Sequence, residues 1–311
     1  MNKLPIYEIL DDLKSKLRTN KTVILQATTG AGKSTVIPTE LLNETFLKNK
    51  KIIVLEPRRV AARVIANKLA QNLGEKVGQT VGYEIKLDSC VSKQTKILVV
   101  TEAILIRKIQ ANQSIDDIGL IIFDEFHERS IYTDLSLAFS LQIQDYLRDD
   151  LKLLIMSATL NSKKLSNFLD APIITSIAKN YEVKSIYLNP SVKQPSYGDI
   201  SLVVDTIYKA LKDCKKDILV FLPGVKQINE VKNSLNISED ILVLPLYSNL
   251  DKKQQDDAIQ EQNKRKVILS TNIAQTSLTI KGVNVVIDTG LEKVSKYDSS
   301  NGMNHLNLSF I

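Results

Sequence analysis

Two short stretches carry side chains that could act together on a phosphate. In Ala27-Thr28-Thr29-Gly30-Ala31-Gly32-Lys33-Ser34-Thr35, small residues lead into a lysine and two hydroxyls. A turn of this kind lets backbone N–H groups close around phosphate oxygens, and a helix that starts at the lysine adds its positive end. The candidate nucleotide ligands are therefore Thr29, Gly30, Ala31, Gly32, Lys33, Ser34 and Thr35. Lys33 would reach the β- and γ-phosphates of ATP, and the Ser34 hydroxyl would bind Mg²⁺. Ala27 stands where this pattern usually opens on glycine. The second stretch, "LIIFDEFHERS" from Leu120 to Ser130, places Asp124, Glu125, His127, Glu128 and Arg129 directly behind an apolar run. Asp124 is the candidate to hold the metal, and Glu125 to orient and deprotonate an attacking water.

Both stretches need a sheet to hold them. Leu120-Ile121-Ile122-Phe123, opened by Gly119, reads as a strand buried on both faces. Similar runs recur at 22–27, 51–57, 96–101 and 151–159, with helical patterns between them. That alternation predicts a doubly wound α/β sheet with mainly parallel strands, whose ligands sit beyond the carboxyl ends of the strands. The rhythm loosens between Pro172 and Gly198. It resumes with a helix at about 200–213 and strands at 217–224, 241–248, 266–271 and 283–290. Two α/β domains are expected, 1–179 and 180–311.

Composition narrows the class. The chain has 311 residues, 43% hydrophobic and 24% charged, as expected of a globular protein with room for two cores. A net charge of +6 favours an anionic partner only weakly. Cys90 and Cys214 match no metal-ligand spacing and read as reduced thiols. The N-terminal stretch predicts an amphipathic helix with Ile6, Ile9, Leu10, Leu13 and Leu17 on one stripe. No signal-peptide core or membrane-spanning run is visible, so a cytoplasmic protein without a membrane partner is expected.

"DEFH" at 124–127 resembles the signature of DEAH-type helicases. "EPRRVAARV" (56–64), "TEAIL" (101–105), "SAT" (157–159), "FLPG" (221–224), "PLYSNL" (245–250) and "TNIAQTSLTI" (271–280) follow the order of helicase motifs. The extended matches "VLEPRRVAARV" and "IIFDEFHERS" are most similar to the bacterial HrpB-type ATP-dependent RNA helicases. The resemblance implies two RecA-like domains with ATP between them and single-stranded RNA across their tops, with DNA as the alternative. It implies nucleic-acid contacts from Arg58, Arg59, Thr101, Gly224, Thr271, Asn272 and Thr276, and a contact to RNA or nucleotide from Ser277. Ser157 and Thr159 would couple the nucleotide site to domain movement, and His127 would join that network.

The chain also departs from the family pattern. Gln275 replaces the usual glutamate of "NIAETS", and Lys281 stands where an acidic residue commonly follows. Ile259 takes a position that many eukaryotic relatives give to a base-stacking aromatic. The family's QRxGRxGR motif, whose arginines contact the γ-phosphate, does not occur before the chain ends at Ile311. Arginine fingers contribute roughly 10³–10⁵-fold in related phosphoryl transfers. A polypeptide of this length is therefore expected to bind Mg-ATP, hydrolyse it slowly and unwind no duplex unaided. A non-catalytic, nucleotide-dependent nucleic-acid clamp or remnant is the alternative. A small-molecule P-loop kinase ranks last, because it leaves the second half's motifs without a purpose.

Overall fold

The computed structural model describes residues 4–28, 30–158, 162–176, 182–188, 200–275 and 280–311. The chain forms two compact units, Met1–Glu182 and Val183–Ile311. Both are α/β with mainly parallel sheets.

Unit 1 runs α1 (Leu10–Thr19), β1 (Thr22–Ala27), α2 (Lys33–Glu40), β2 (Lys51–Leu55), α3 (Arg59–Asn72), β3 (Val81–Ile85) and β4 (Asp88–Cys90). It continues through β5 (Ile97–Val100), α4 (Glu102–Ala111), β6 (Ile118–Phe123), α5 (Ile131–Tyr146), β7 (Lys152–Ser157), α6 (Ser162–Leu169) and β8 (Ile173–Ser176). The strands lie in the order β4-β3-β5-β2-β6-β7-β1-β8, parallel throughout except for the β3–β4 pair.

Alternation along the strands divides the core into two layers. Val23, Leu25, Ile52, Val54, Leu120 and Ile122 pack with Leu13, Leu17, Ile37, Ile65 and Leu69 of α1, α2 and α3. Ile24, Ile53, Leu55, Ile121 and Phe123 pack on the opposite face with Ile104, Leu105, Leu137 and Ile143 of α4 and α5. Each such side chain contributes about 1.5–3 kcal/mol when fully buried. This double coverage is why the strands read as unbroken apolar runs. The expected N-terminal helix is split. Pro5–Ile9 forms a 3₁₀ turn, α1 follows, and of the expected stripe only Ile9 is not fully buried.

Unit 2 comprises α7 (Ile200–Asp213), β9 (Asp217–Phe221), α8 (Val225–Ser234), β10 (Ile241–Leu246), α9 (Lys252–Ile259), β11 (Arg265–Ser270) and β12 (Val283–Asp288). Its parallel sheet has the order β10-β11-β9-β12. Pro245 lies in β10, an edge strand, where a missing N–H costs no ladder bond. An antiparallel hairpin follows, β13 (Leu291–Asp298) with β14 (Met303–Phe310), turning through residues 299–302 with Gly302 at φ +71°. Among the described residues, no helix is long and apolar enough to cross a membrane.

Candidate nucleotide and nucleic-acid sites

The five central strands of unit 1 place the expected residues along one rim. In the order β5-β2-β6-β7-β1, their carboxyl ends carry Thr101, Arg58, Asp124, Ser157 and the glycine turn. Strands about 4.8 Å apart put the two ends of this row roughly 19 Å from each other.

The turn between β1 and α2 is built on left-handed glycines, Gly30 at φ +79° and Gly32 at φ +94°. A Cβ on Gly32 would stand 2.8 Å from Leu4 Cδ1, because the N-terminal 3₁₀ turn packs directly on this loop. The Ile6 N–H donates to the Ala31 carbonyl at 3.2 Å, and the Ala31 N–H donates to Thr28 at 3.3 Å. Lys33 and Ser34 open α2, and the Thr35 hydroxyl donates to the Gly32 carbonyl at 3.4 Å. Thr29 lies outside the described residues.

Asp124 extends the β6 ladder by one bond, its N–H donating to the Leu55 carbonyl at 3.0 Å. Its Oδ1 accepts from the Glu125 N–H at 2.8 Å, and the Ser34 hydroxyl also donates to this carboxylate. Glu125 then adopts a left-handed backbone, φ +47°, which turns the chain out of the sheet into the 3₁₀ turn Phe126–Glu128. Through that turn Glu125 Oε1 stands 3.0 Å from Lys33 Nζ, and Oε2 stands 3.4 Å from His127 Nδ1. Lys33, Ser34, Asp124, Glu125 and His127 are thus brought into one cluster.

Burial governs the electrostatics of this cluster. Asp124 is 2% exposed, Glu125 6% and Lys33 5%. Burial first, and the Glu125 charge second, push the Asp124 carboxyl up to about 6; Lys33 and the bonds from Ser34 and Glu125 pull it back. The Lys33 ammonium is within ion-pair range of Glu125, yet among the described residues it makes no hydrogen bond of acceptable geometry, and neither does Asp124 Oδ2. Buried donors and acceptors are rarely left in that condition. An anion with several acceptor oxygens suits Lys33, and a divalent cation suits Asp124 with Ser34. Mg²⁺ in particular is commonly held by one or two carboxylates plus substrate phosphates. Ser157 is fully buried at the end of β7, opposite Gln26 of β1, and among the described residues its hydroxyl finds no hydrogen-bond partner. Thr159 lies outside the described residues.

The expected nucleic-acid residues of unit 1 lie at the other end of the row. Arg58 precedes α3, half-buried, with Nε 3.5 Å from Glu128 Oε2; Arg59 is exposed. Thr101 precedes α4, buried, its hydroxyl not capping that helix. In unit 2, Gly224 at the start of α8 and Thr271 and Asn272 after β11 line one cleft of about 410 Å³. Tyr247, Gln275 and Lys293 line it as well. Lys293 comes from the β13–β14 hairpin, and its Nζ would stand 3.0 Å from a Cβ on Gly224. Sequence reasoning missed this residue because it missed the hairpin, although Asn301-Gly302 is a strong hairpin turn signal. Thr276 and Ser277 lie outside the described residues. Ile259 is 8% exposed and packs inward, so it offers no surface to a base.

Comparison with known proteins identifies the family of the two units. A family described as DEAD/DEAH box helicase matches residues 9–168, and one described as helicase conserved C-terminal domain matches 200–305. The ATP-dependent RNA helicase HrpB of Escherichia coli (strain K12) is 44% identical over 311 residues, covering 98% of this chain and 38% of that protein. The ATP-dependent RNA helicase HrpA of Borreliella burgdorferi is 36% identical, covering 96% and 37%. A crystal structure of the E. coli DEAH/RHA helicase HrpB aligns with a TM-score of 0.89 at 43% identity, covering 99% of this chain and 40% of that one. The chain spans about two fifths of the length of these relatives.

Proposed function

Because the chain belongs to the DEAD/DEAH box helicase family, we propose that it forms the core of an ATP-dependent DEAH-type RNA helicase. In this reading, residues 1–179 and 180–311 are its two RecA-like domains. They couple Mg-ATP binding and hydrolysis to movement on single-stranded RNA in the cytoplasm. The observation that carries the reading is the convergence of Lys33, Ser34, Asp124 and Glu125 beside the glycine turn.

In this mechanism the turn and Lys33 bind the β- and γ-phosphates of ATP, and Lys33 exchanges its contact with Glu125 for one with phosphate oxygen. Asp124 and Ser34 would hold Mg²⁺, which when bound neutralises charge on those oxygens. Glu125, freed from Lys33, orients a water and takes its proton as the water oxygen bonds to the γ-phosphorus and the bond to ADP breaks. His127, 3.4 Å from Glu125, would join the network that couples this site to domain movement. Arg58, Arg59 and Thr101, with Gly224, Thr271, Asn272 and Thr276, hold the RNA backbone. Thr29 would add to nucleotide binding, and Ser157 and Thr159 would couple the nucleotide site to domain movement. Assayed as residues 1–311 alone, hydrolysis is expected to be slow, since no QRxGRxGR stretch is among them.

The test is equilibrium binding of a fluorescent ATP analogue with and without Mg²⁺, together with ATP hydrolysis with and without oligouridylate. Magnesium-dependent binding that Lys33→Ala abolishes, and hydrolysis that RNA stimulates, are the expected results. Binding indifferent to Lys33→Ala would remove the reading. Gln275 and Lys281 favour the second reading, a nucleotide-dependent RNA clamp. RNA affinity that responds to nucleotide, with no hydrolysis above background, would select it.

A further inference from the structure

The short turn that follows Glu125 touches both elements expected to meet nucleic acid in unit 1. The Glu128 N–H donates to the Glu125 carbonyl at 2.9 Å, and Glu128 Oε2 stands 3.5 Å from Arg58 Nε at the start of α3. Two residues on, the Ser130 hydroxyl donates to Glu102 Oε1 at 2.7 Å, and the Thr133 hydroxyl donates to the same oxygen. Glu102 is the first residue of α4, directly after Thr101. The turn is therefore clamped on one side to Arg58 and on the other to the helix that Thr101 opens.

Its backbone is also unusual. Glu125 and Arg129, the residues on either side of Phe126–Glu128, both adopt left-handed backbone at φ +47° and +48°. Neither is glycine, so this conformation is held against its intrinsic preference by the contacts around it. Arg129 supplies some of them, through two bonds to Asp134 at 2.8 and 3.1 Å and its guanidinium 5.5 Å from the centre of the Phe126 ring. A displacement of Glu125 therefore acts directly on the three-residue turn that carries Glu128.

Arg58 is one of the residues proposed above to hold an RNA phosphate, and in this structure its guanidinium faces a carboxylate instead. A carboxylate and a phosphate present similar acceptor oxygens to a guanidinium, so the two compete for it. We propose that Glu128 is a positioning residue for RNA capture. It holds Arg58 back, and displacement of Glu125 at the nucleotide site is relayed through the turn to release Arg58 to RNA. The inference rests on the helicase reading, and on Arg58 being an RNA ligand in particular.

The experiment measures anisotropy of a fluorescein-labelled oligouridylate bound to the 311-residue protein, with and without a non-hydrolysable ATP analogue and Mg²⁺, over a range of salt. Glu128→Gln should tighten binding about 2–5-fold without nucleotide, the range expected of one part-exposed ion pair. It should steepen the salt dependence by about 0.7 in log–log slope, as for one additional phosphate contact on a single strand. The difference in affinity between the two nucleotide conditions should shrink. A purely structural role for Glu128 would move none of these in that direction. Glu128→Asp, which keeps the charge but withdraws it by one methylene, should do the same more weakly, and it serves if Glu128→Gln melts early.

The effect must vanish in an Arg58→Ala background. If Glu128→Gln still tightens binding there, the carboxylate acts through the general field and the proposal fails. It fails equally if Glu128→Gln weakens binding or leaves it unchanged while Arg58→Ala weakens it, a result that leaves the RNA-binding reading intact. Oligouridylate binding that ignores Arg58→Ala in the presence of the ATP analogue and Mg²⁺ removes the premise instead.

Discussion

Glu125→Gln tests the candidate nucleotide site most directly, because it separates three quantities that the structure ties to one contact. Lys33 Nζ and Glu125 Oε1 are 3.0 Å apart and both side chains are 6% exposed. Their Coulomb attraction is about 5–6 kcal/mol at the effective dielectric of a protein interior, most of it offset by the desolvation of both ions. Removing one member of a buried pair typically costs about 3–5 kcal/mol, because the other charge is left uncompensated. Here Asp124 also faces Lys33, and loss of the Glu125 charge makes Asp124 easier to ionise. The net loss should therefore be about 1–3 kcal/mol, or roughly 3–10 °C in the melting of unit 1 without nucleotide. Nucleotide binding should move the other way. Lys33 no longer has to leave a carboxylate, so affinity should be equal or up to about tenfold tighter, a difference of about 1.4 kcal/mol. Hydrolysis, measured in single turnover with excess protein to capture a slow rate, should fall about 10²–10⁴-fold with the loss of the general base. Calorimetry, analogue titration and phosphate release read the three quantities separately. Hydrolysis within a few-fold of the parent protein, or a loss of affinity that parallels the loss of rate, would refute the assignment of Glu125 as the base held by Lys33.

Two further predictions concern the supports of the site. Gly119→Ala in β6 would put a Cβ 3.2 Å from both the Cα and the carbonyl oxygen of Leu47, backbone that cannot rotate aside. Chemical denaturation should show a loss of about 1–3 kcal/mol in unit 1, and a variant as stable as the parent would contradict this close approach. Asp150 accepts from the Arg148 guanidinium at 2.7 and 3.2 Å and from Lys50 at 2.7 Å, while Arg148 also donates to the Ser114 and Ile115 carbonyls ahead of β6 and to that of Ile118, its first residue. The bond from Arg148, foremost, holds the Asp150 carboxyl well below the usual carboxylate range. A depressed carboxylate adds stability above its unfolded pKa, near 3.9, and loses it as pH falls below that value. Asp150→Asn should therefore cost about 1–2 kcal/mol at pH 7. In thermal melts that deficit should narrow steadily below about pH 4; a deficit constant from pH 7 to pH 2 would count against the pairing.

What could be read from the chain alone was local burial. A strand covered on both faces must be apolar at every position, so Leu120–Phe123 and its counterparts marked the parallel sheet. Asp124 and Glu125, placed where such a strand ends, marked a candidate functional rim. The hairpins β3–β4 and β13–β14 escaped notice. Leu87, at φ +65° and 96% exposed, is no turn-forming residue type, and the strands at 291–310 expose much of their surface and so lack a continuous apolar signature. The phosphate turn and the acidic pair could be named from residue types and spacing, because their chemistry depends on those types. That Lys33 rests on Glu125, that Leu4 crowds Gly32, and that Arg58 faces Glu128 were decided only by the tertiary structure. The first and last of these contacts join residues far apart in the chain through the order in which the strands pair, and the second through the packing of the N-terminal 3₁₀ turn on the glycine loop. Local hydrophobic periodicity fixes which segments become strands, but their order follows from how the connecting helices cover both faces of the sheet.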